Sequence, residues 1–229
     1  LAKKRYTGPY VSRGGEKLKG ALEALSLDVT GLRCLDVGAS TGGFTDCLLQ
    51  AGAESVVALD VAYGQFAWKL RQDPRVHVIE RTNFKSIDLS QIDESFAAPY
   101  DLVVADLSFI SLAKLSEQFK TTISPEGQLL LLVKPQFEAH REEVPAGGVI
   151  TDPQLQAQTL RRLASSFRDA GIEVLDWTYS PIKGPKGNIE FWVHAGLPTS
   201  VENIHCPDYL SAVCATIEST VSQAHESLD

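Results

Sequence analysis

Apolar positions first fall at helical spacing over Glu16–Leu27, with Leu18, Ala21, Leu22 and Leu25 on one side. The pattern then changes to short apolar runs bounded by polar breakers. Arg33–Val37, Ser55–Leu59, Val76–Ile79, Tyr100–Ala105 and Gly127–Val133 read as buried strands. Between them, Gly43–Ala51, Tyr63–Gln72 and Leu112–Ile123 read as helices, the first closed by Gly52. Pro135–Asp152 carries Pro145, Gly147 and Gly148 and reads as a long loop. Gln154–Ala170 is a long amphipathic helix stopped by Gly171, and Ile172–Tyr179 and Ile189–Ala195 are two further strands. A last helix is expected from Asp208 to about Ser227.

Strands that do not alternate apolar with polar are covered on both faces, and strands alternating with helices form a mainly parallel sheet. The final two strands lack a helix between them. Ser180–Asn188 is too short for a parallel crossover, so the last strand is expected to run antiparallel. The expectation is an α/β, Rossmann-like fold with a seven-stranded, mostly parallel sheet and one reversed strand.

At 229 residues the chain is one large domain with room for an appendage, and it needs no disulfide or metal staple to fold. Its 44% hydrophobic and 22% charged residues are globular values. Cys34, Cys47, Cys206 and Cys214 form no C-x-x-C pair, and the five histidines show no ligand spacing, so no metal is expected. Free thiols fit a reducing cytoplasm. No apolar run reaches the length of a membrane span, and the basic start, with no long apolar stretch after it, does not read as a secretory signal. Trp68, Trp177 and Trp192 fall inside expected elements and read as core. The net charge of −8 argues against a surface coated by nucleic acid. Basic residues nevertheless crowd the start, at Lys3, Lys4, Arg5, Arg13, Lys17 and Lys19. A chain opening at Leu1 on such a run predicts further protein upstream.

In open α/β sheets, ligands bind beyond the carboxyl ends of the strands. Gly38, Asp60, Asn83, Asp106 and Lys134 each follow an expected strand and should be neighbours in space. The first turn reads Asp36-Val37-Gly38-Ala39-Ser40-Thr41-Gly42-Gly43. Ser40 stands where a dinucleotide fingerprint needs its second glycine, and no Gly-Lys-Ser/Thr follows for a P-loop. The turn therefore suits a ligand without phosphates, with Gly42-Gly43 allowing close approach to the next helix. Asp60, with Val61 beside it, can accept the hydroxyls of a ribose; Asn83 and Phe84 can flank an adenine. An ordinary glycine-rich connection is the plainer alternative for the turn alone.

Seven ordered segments carry a resemblance. They are Tyr10–Leu18, Leu35–Thr45, Ala58–Gln65, Arg81–Phe84, Asp106–Ser111, Lys134–Glu138 and Ser180–Phe191. Together they resemble the TlyA family, hemolysin-named ribosomal RNA 2′-O-methyltransferases with an FtsJ-like catalytic domain. The resemblance spans about Tyr10 to Leu197. It implies a class I fold binding S-adenosylmethionine, with Asp36, Gly38, Ala39, Ser40, Gly42, Gly43, Asp60, Val61, Asn83, Phe84 and Asp106 at the cofactor. It also implies a catalytic set of Lys17, Asp106, Lys134 and Glu190, and ribosomal RNA or ribosomal subunits as partner. Residues 1–9 would then be a basic remnant of the linker from an S4-like domain, 10–197 the methyltransferase domain and 198–229 a helical tail.

Methyl transfer to a hydroxyl needs an in-line oxygen and loss of its proton. A lysine serves as base when burial favours its neutral form, and proximity supplies much of the rate. Lys134 is expected as base or orienting group, positioned by both Asp106 and Glu190, with Lys17 orienting the ribose hydroxyl. Lys3, Lys4, Arg5, Arg13, Lys183 and Lys186 would gather RNA phosphates at the mouth. Two other readings stand beside this one: a methyltransferase of a small molecule or protein, favoured by the acidic net charge, and a non-catalytic RNA-binding or cytolytic protein.

Overall fold

The structure is a computed structural model and describes residues 6–87, 92–198 and 207–229. Seven strands form one sheet: β1 (Arg33–Val37), β2 (Ser55–Leu59), β3 (Val76–Ile79), β4 (Tyr100–Ala105), β5 (Ile123–Val133), β6 (Glu173–Tyr179) and β7 (Phe191–Gly196). Their spatial order is β3-β2-β1-β4-β5-β7-β6. β1 to β5 pair in parallel, and β7 runs antiparallel to both β5 and β6. This is the expected α/β sheet with one reversed strand. The chain order reverses between β1 and β4, which opens a crevice at their carboxyl ends.

Alternate residues of each strand serve opposite layers. Leu35, Val37, Val103, Leu129, Leu131 and Val193 join one core; Cys34, Val56, Val104, Leu130, Leu132 and Trp192 join the other. The first core is covered by helices α4 (Ser116–Thr122), α6 (Pro153–Asp169) and α7 (Pro207–Leu228), through residues such as Phe119, Leu160 and Ile217. The second is covered by α1 (Gly14–Ala24), α2 (Gly43–Gln50) and α3 (Trp68–Arg71), through Leu18, Leu48 and Leu70.

Two expectations fail. Tyr63–Gln72 is not one helix: only Trp68–Arg71 is helical. Gly64 takes a left-handed φ of +74° and gives its N–H to Glu80, and Ala67 is extended, so the segment reaches its helix late. Trp68 is consequently 68% exposed rather than core, whereas Trp177 and Trp192 are buried. The stretch after β5 is also more ordered than a plain loop. It holds a short helix α5 (Pro135–Glu138) and a 3₁₀ turn at Arg141–Glu143.

Candidate active site

The turn after β1 is built around a buried carboxylate. Asp36 accepts from the Thr45 N–H at 2.9 Å and from the Thr45 hydroxyl at 2.7 Å. It thus sits at the amino end of α2, where a helix attracts negative charge. The position that a phosphate would take is filled from within the chain. Burial pushes the Asp36 carboxyl up to about 7, against the opposing pull of the Thr45 hydrogen bonds. Asp36 lies beneath the turn, and its Oδ1 has no partner among the described residues.

Gly38 lies directly above, with φ of +83°. A Cβ there would stand 2.7 Å from the Asp106 carbonyl, so glycine permits the ends of β1 and β4 to meet. Ser40 takes φ of +49° and gives its N–H to Asp60 at 2.6 Å; the other Asp60 oxygen accepts from Ala62 N–H at 2.7 Å. Gly42 serves packing. A Cβ on it would meet Leu70 at 2.6 Å and Phe66 at 2.9 Å. Gly43 lets the amino ends of α1 and α2 cross closely, since a Cβ on it would stand 3.0 Å from the Gly15 nitrogen, and this carries Lys17 toward the turn.

Two cavities meet at Gly38, Ser40 and Asp106. One, of about 410 Å³, is walled by Leu59, Asp60, Val61, Asn83, Phe84 and Leu115 and, among the described residues, has no lysine or arginine in its lining. Asn83 also caps the turn that follows it, its Oδ1 accepting from Lys85 N–H. The other, of about 490 Å³, contains Lys17, Lys134, Glu190, Gln136, Phe137 and Lys186. A shallow groove beside Ala39 and Gly43 adds Ser12 and Arg13.

Four charged side chains form two pairs in the second cavity. Lys134 Nζ lies 2.6 Å from Asp106 Oδ1 and 3.0 Å from Ser108 Oγ. Lys17 Nζ lies 2.5 Å from Glu190 Oε2. Glu190 therefore holds Lys17, and not Lys134 as expected from the sequence. Gly184 makes room for it, since a Cβ there would stand 2.5 Å from Glu190 Oε1. Lys17 and Glu190 are both buried. A buried ion pair adds little net stability, so the Lys17–Glu190 pair, beside the partly exposed Lys134–Asp106 pair on the same cavity wall, points to chemistry.

The chain that carries this site matches a known family. The description "FtsJ-like methyltransferase" matches residues 10–197. The chain is 49% identical over 184 residues to the 16S/23S rRNA (cytidine-2′-O)-methyltransferase TlyA of Mycobacterium tuberculosis, covering 80% of this chain and 67% of that protein. The chain belongs to the FtsJ-like methyltransferase family, in its TlyA branch.

A solved structure named as a hemolysin, from Streptococcus thermophilus, superposes with a TM-score of 0.84 at 36% identity, covering 98% of this chain and 77% of that one. An S-adenosylmethionine-dependent methyltransferase from Listeria monocytogenes shares the fold alone, at 14% identity and a TM-score of 0.57, over 82% of this chain and all of the other. This TlyA-branch chain is thus a methyltransferase in fold and family.

Of the expected phosphate-binding residues, Arg13 and Lys186 are exposed at the cavity mouths. Lys183 is instead tied to Asp229 at 2.7 Å. Lys3, Lys4 and Arg5 lie outside the described residues. The sequence reading missed Ser108, Phe109, Gln136 and Phe137. Phe109 is 90% exposed at φ of +66°, with its ring 5.0 Å from that of Phe137, and it borders both of the cavities that meet at Asp106. The signal was present in Asp106-Leu107-Ser108-Phe109, where an aromatic follows a strand-end acid. Gln136 Oε1 is buried with no partner among the described residues.

Proposed function

We propose that this chain transfers the methyl group of S-adenosylmethionine to the 2′-hydroxyl of a ribose in ribosomal RNA. The observation that carries this reading is the junction of the two cavities at Asp106. A cleft lined without cations opens there onto a pocket holding two lysine–carboxylate pairs.

The smaller cleft fits the cofactor. Its volume is in the range of small-molecule sites, and its walls combine apolar side chains with a few polar groups. Phe84 and Leu115 offer apolar surface to an adenine. Asp60 and Asn83 are the polar groups for ribose and base, and Gly38 leaves room for the chain that ends in the sulfonium. The lack of lysine and arginine among the described residues of its lining, with Asp36 already on the amino end of α2, disfavours a phosphate-bearing ligand. When bound, S-adenosylmethionine supplies an electrophilic methyl group and leaves as a neutral thioether.

The chain's own groups prepare the acceptor oxygen. Lys134 Nζ is fixed by Asp106 and Ser108, which leaves one N–H direction for the ribose hydroxyl. Lys17, held by Glu190, contacts the same hydroxyl from the opposite wall and steadies negative charge as the proton leaves. The proton passes from the 2′-oxygen to Lys134 Nζ when that nitrogen is in its amine form. Much of the rate gain comes from holding oxygen and methyl in line. Phe109 and Phe137 present aromatic surface to a base beside that ribose. Arg13 and Lys186 contribute to phosphate contact, with Lys3, Lys4 and Arg5 adding to it.

The test is transfer of labelled methyl groups from S-adenosylmethionine to ribosomal subunits. Incorporation into RNA is expected. Cofactor binding without transfer to any subunit overturns the reading, and transfer to a small molecule or protein instead replaces the acceptor.

A further inference from the structure

The larger cavity has an outer wall made by two loops. One runs through Val144 and Gly148; the other runs through Gly184, Pro185 and Lys186 and leads to Glu190. The first loop is anchored at both ends on α6. Glu143 accepts two hydrogen bonds from Arg162, at 2.6 and 2.8 Å, and the Ile150 carbonyl accepts from Gln156 Nε2 at 2.9 Å. Between those anchors lie Gly147 and Gly148, with φ of +100° and +76° and no neighbour near either Cβ position. Such a segment has little packing to fix it.

Asn188 supplies the missing fixation. Its side chain is 3% exposed and uses both ends of its amide on this loop. Oδ1 accepts from Ile150 N–H at 2.9 Å, and Nδ2 donates to the Gly148 carbonyl at 2.9 Å. Its own main-chain carbonyl accepts from Gly184 N–H at 2.8 Å, closing the second loop. Glu190 follows two residues later and holds Lys17. Gln156, which grips Ile150, is held in turn by His225 of α7 at 2.9 Å. A chain of hydrogen bonds therefore runs from the last helix to the wall of the cavity.

We propose that Asn188 is a positioning residue for the RNA strand: it clamps the 144–150 loop onto the loop carrying Lys186, so that the acceptor cavity keeps a closed outer wall. This rests on the proposed transfer to RNA. Asn188 acts through the loop and leaves the cofactor cleft untouched, since it lines only the acceptor side. An aspartate in its place retains the bond from Ile150 N–H and loses the donor to Gly148, setting a carboxylate against a carbonyl. Alanine loses both.

The experiment compares wild type, Asn188→Asp and Asn188→Ala in amide hydrogen exchange and in steady-state transfer to ribosomal RNA. Exchange is expected to quicken at least tenfold at Gly148 and Ile150 in the alanine variant, with strand amides of β4 and β5 unchanged. KM for RNA should rise about tenfold in the alanine variant and less in the aspartate variant, with kcat within about threefold and cofactor affinity unchanged. Unchanged exchange at Gly148 and Ile150, or a loss in kcat with KM for RNA unaltered, overturns the proposal. The exchange readout does not need catalysis. An inactive wild type with quickened exchange in the variant would contradict the proposed function and leave the clamp standing.

Discussion

The two cavities that meet at Asp106 are built in opposite ways. The cofactor-side cleft is made of strand ends and their turns, and its polar groups are already bonded to nearby backbone: Asp60 to Ser40 and Ala62, Asn83 to Lys85. The acceptor-side cavity is made of charged side chains from distant segments, paired with one another. Lys17 and Glu190 stand 173 residues apart in the chain. In the proposed function the first is a preformed mould for a phosphate-free, partly apolar body. The second holds charge in reserve for a proton and a backbone of phosphates. Under the proposed function, affinity for the cofactor belongs to one side and turnover to the other.

The sharpest break of that division is Lys134→Ala. Transfer should fall by more than about 100-fold, the usual loss for a group that handles a proton in the transition state. Cofactor affinity by calorimetry should stay within a few-fold. A comparable loss of cofactor affinity would show that Lys134 supports the cleft as well, and the division would fail.

Gly42→Val tests the cofactor side from beneath. The new side chain meets Leu70 and Phe66, at a φ of +92° that valine tolerates badly. A loss of about 2–4 kcal/mol is expected, read as a lower midpoint in urea. Any loss of cofactor affinity should follow that destabilisation. Unchanged stability with weakened binding would place Gly42 against the ligand instead.

Asp36→Asn has the smallest expected effect. The folded carboxyl titrates at about 7, above its ordinary value of 3.8. The folded state therefore holds a proton that the unfolded state has released between about pH 4 and pH 7. Stability should fall as pH rises through that window and level off above it. The asparagine variant should lose this slope and be the more stable of the two at pH 8. Denaturant melts at pH 5 and pH 8 decide it; a wild-type slope of the opposite sign would mean that the Thr45 hydrogen bonds outweigh burial.

What could be read from the sequence follows the same contrast. β1 to β4 are apolar runs ended by a glycine or a polar residue, and their bounds were legible because β1, β2 and β4 are buried on both faces and β3 is a short apolar run between polar breakers. Gly38, Asp60, Asn83 and Asp106 follow from that, since strand ends in a parallel sheet converge. The pairing of Lys17 with Glu190 was not legible. It depends on the crossing of α1 over α2 at Gly43, which no local pattern records. Trp68 deceived for a related reason: an apolar residue at helical spacing is core only where the helix is long enough to bury it. Phe109 and Asn188 were hidden as well. One is an exposed aromatic held at positive φ; the other works by bonding two loops that are remote in the chain.

The most direct measurement of the central claim is the chemical position of the transferred methyl. Ribosomal RNA labelled by this enzyme is hydrolysed in alkali, which cleaves beside a free 2′-hydroxyl and spares a 2′-O-methylated ribose. Label in alkali-stable dinucleotides is the predicted result. Label released in methylated single nucleotides would place the methyl on a base and contradict the account.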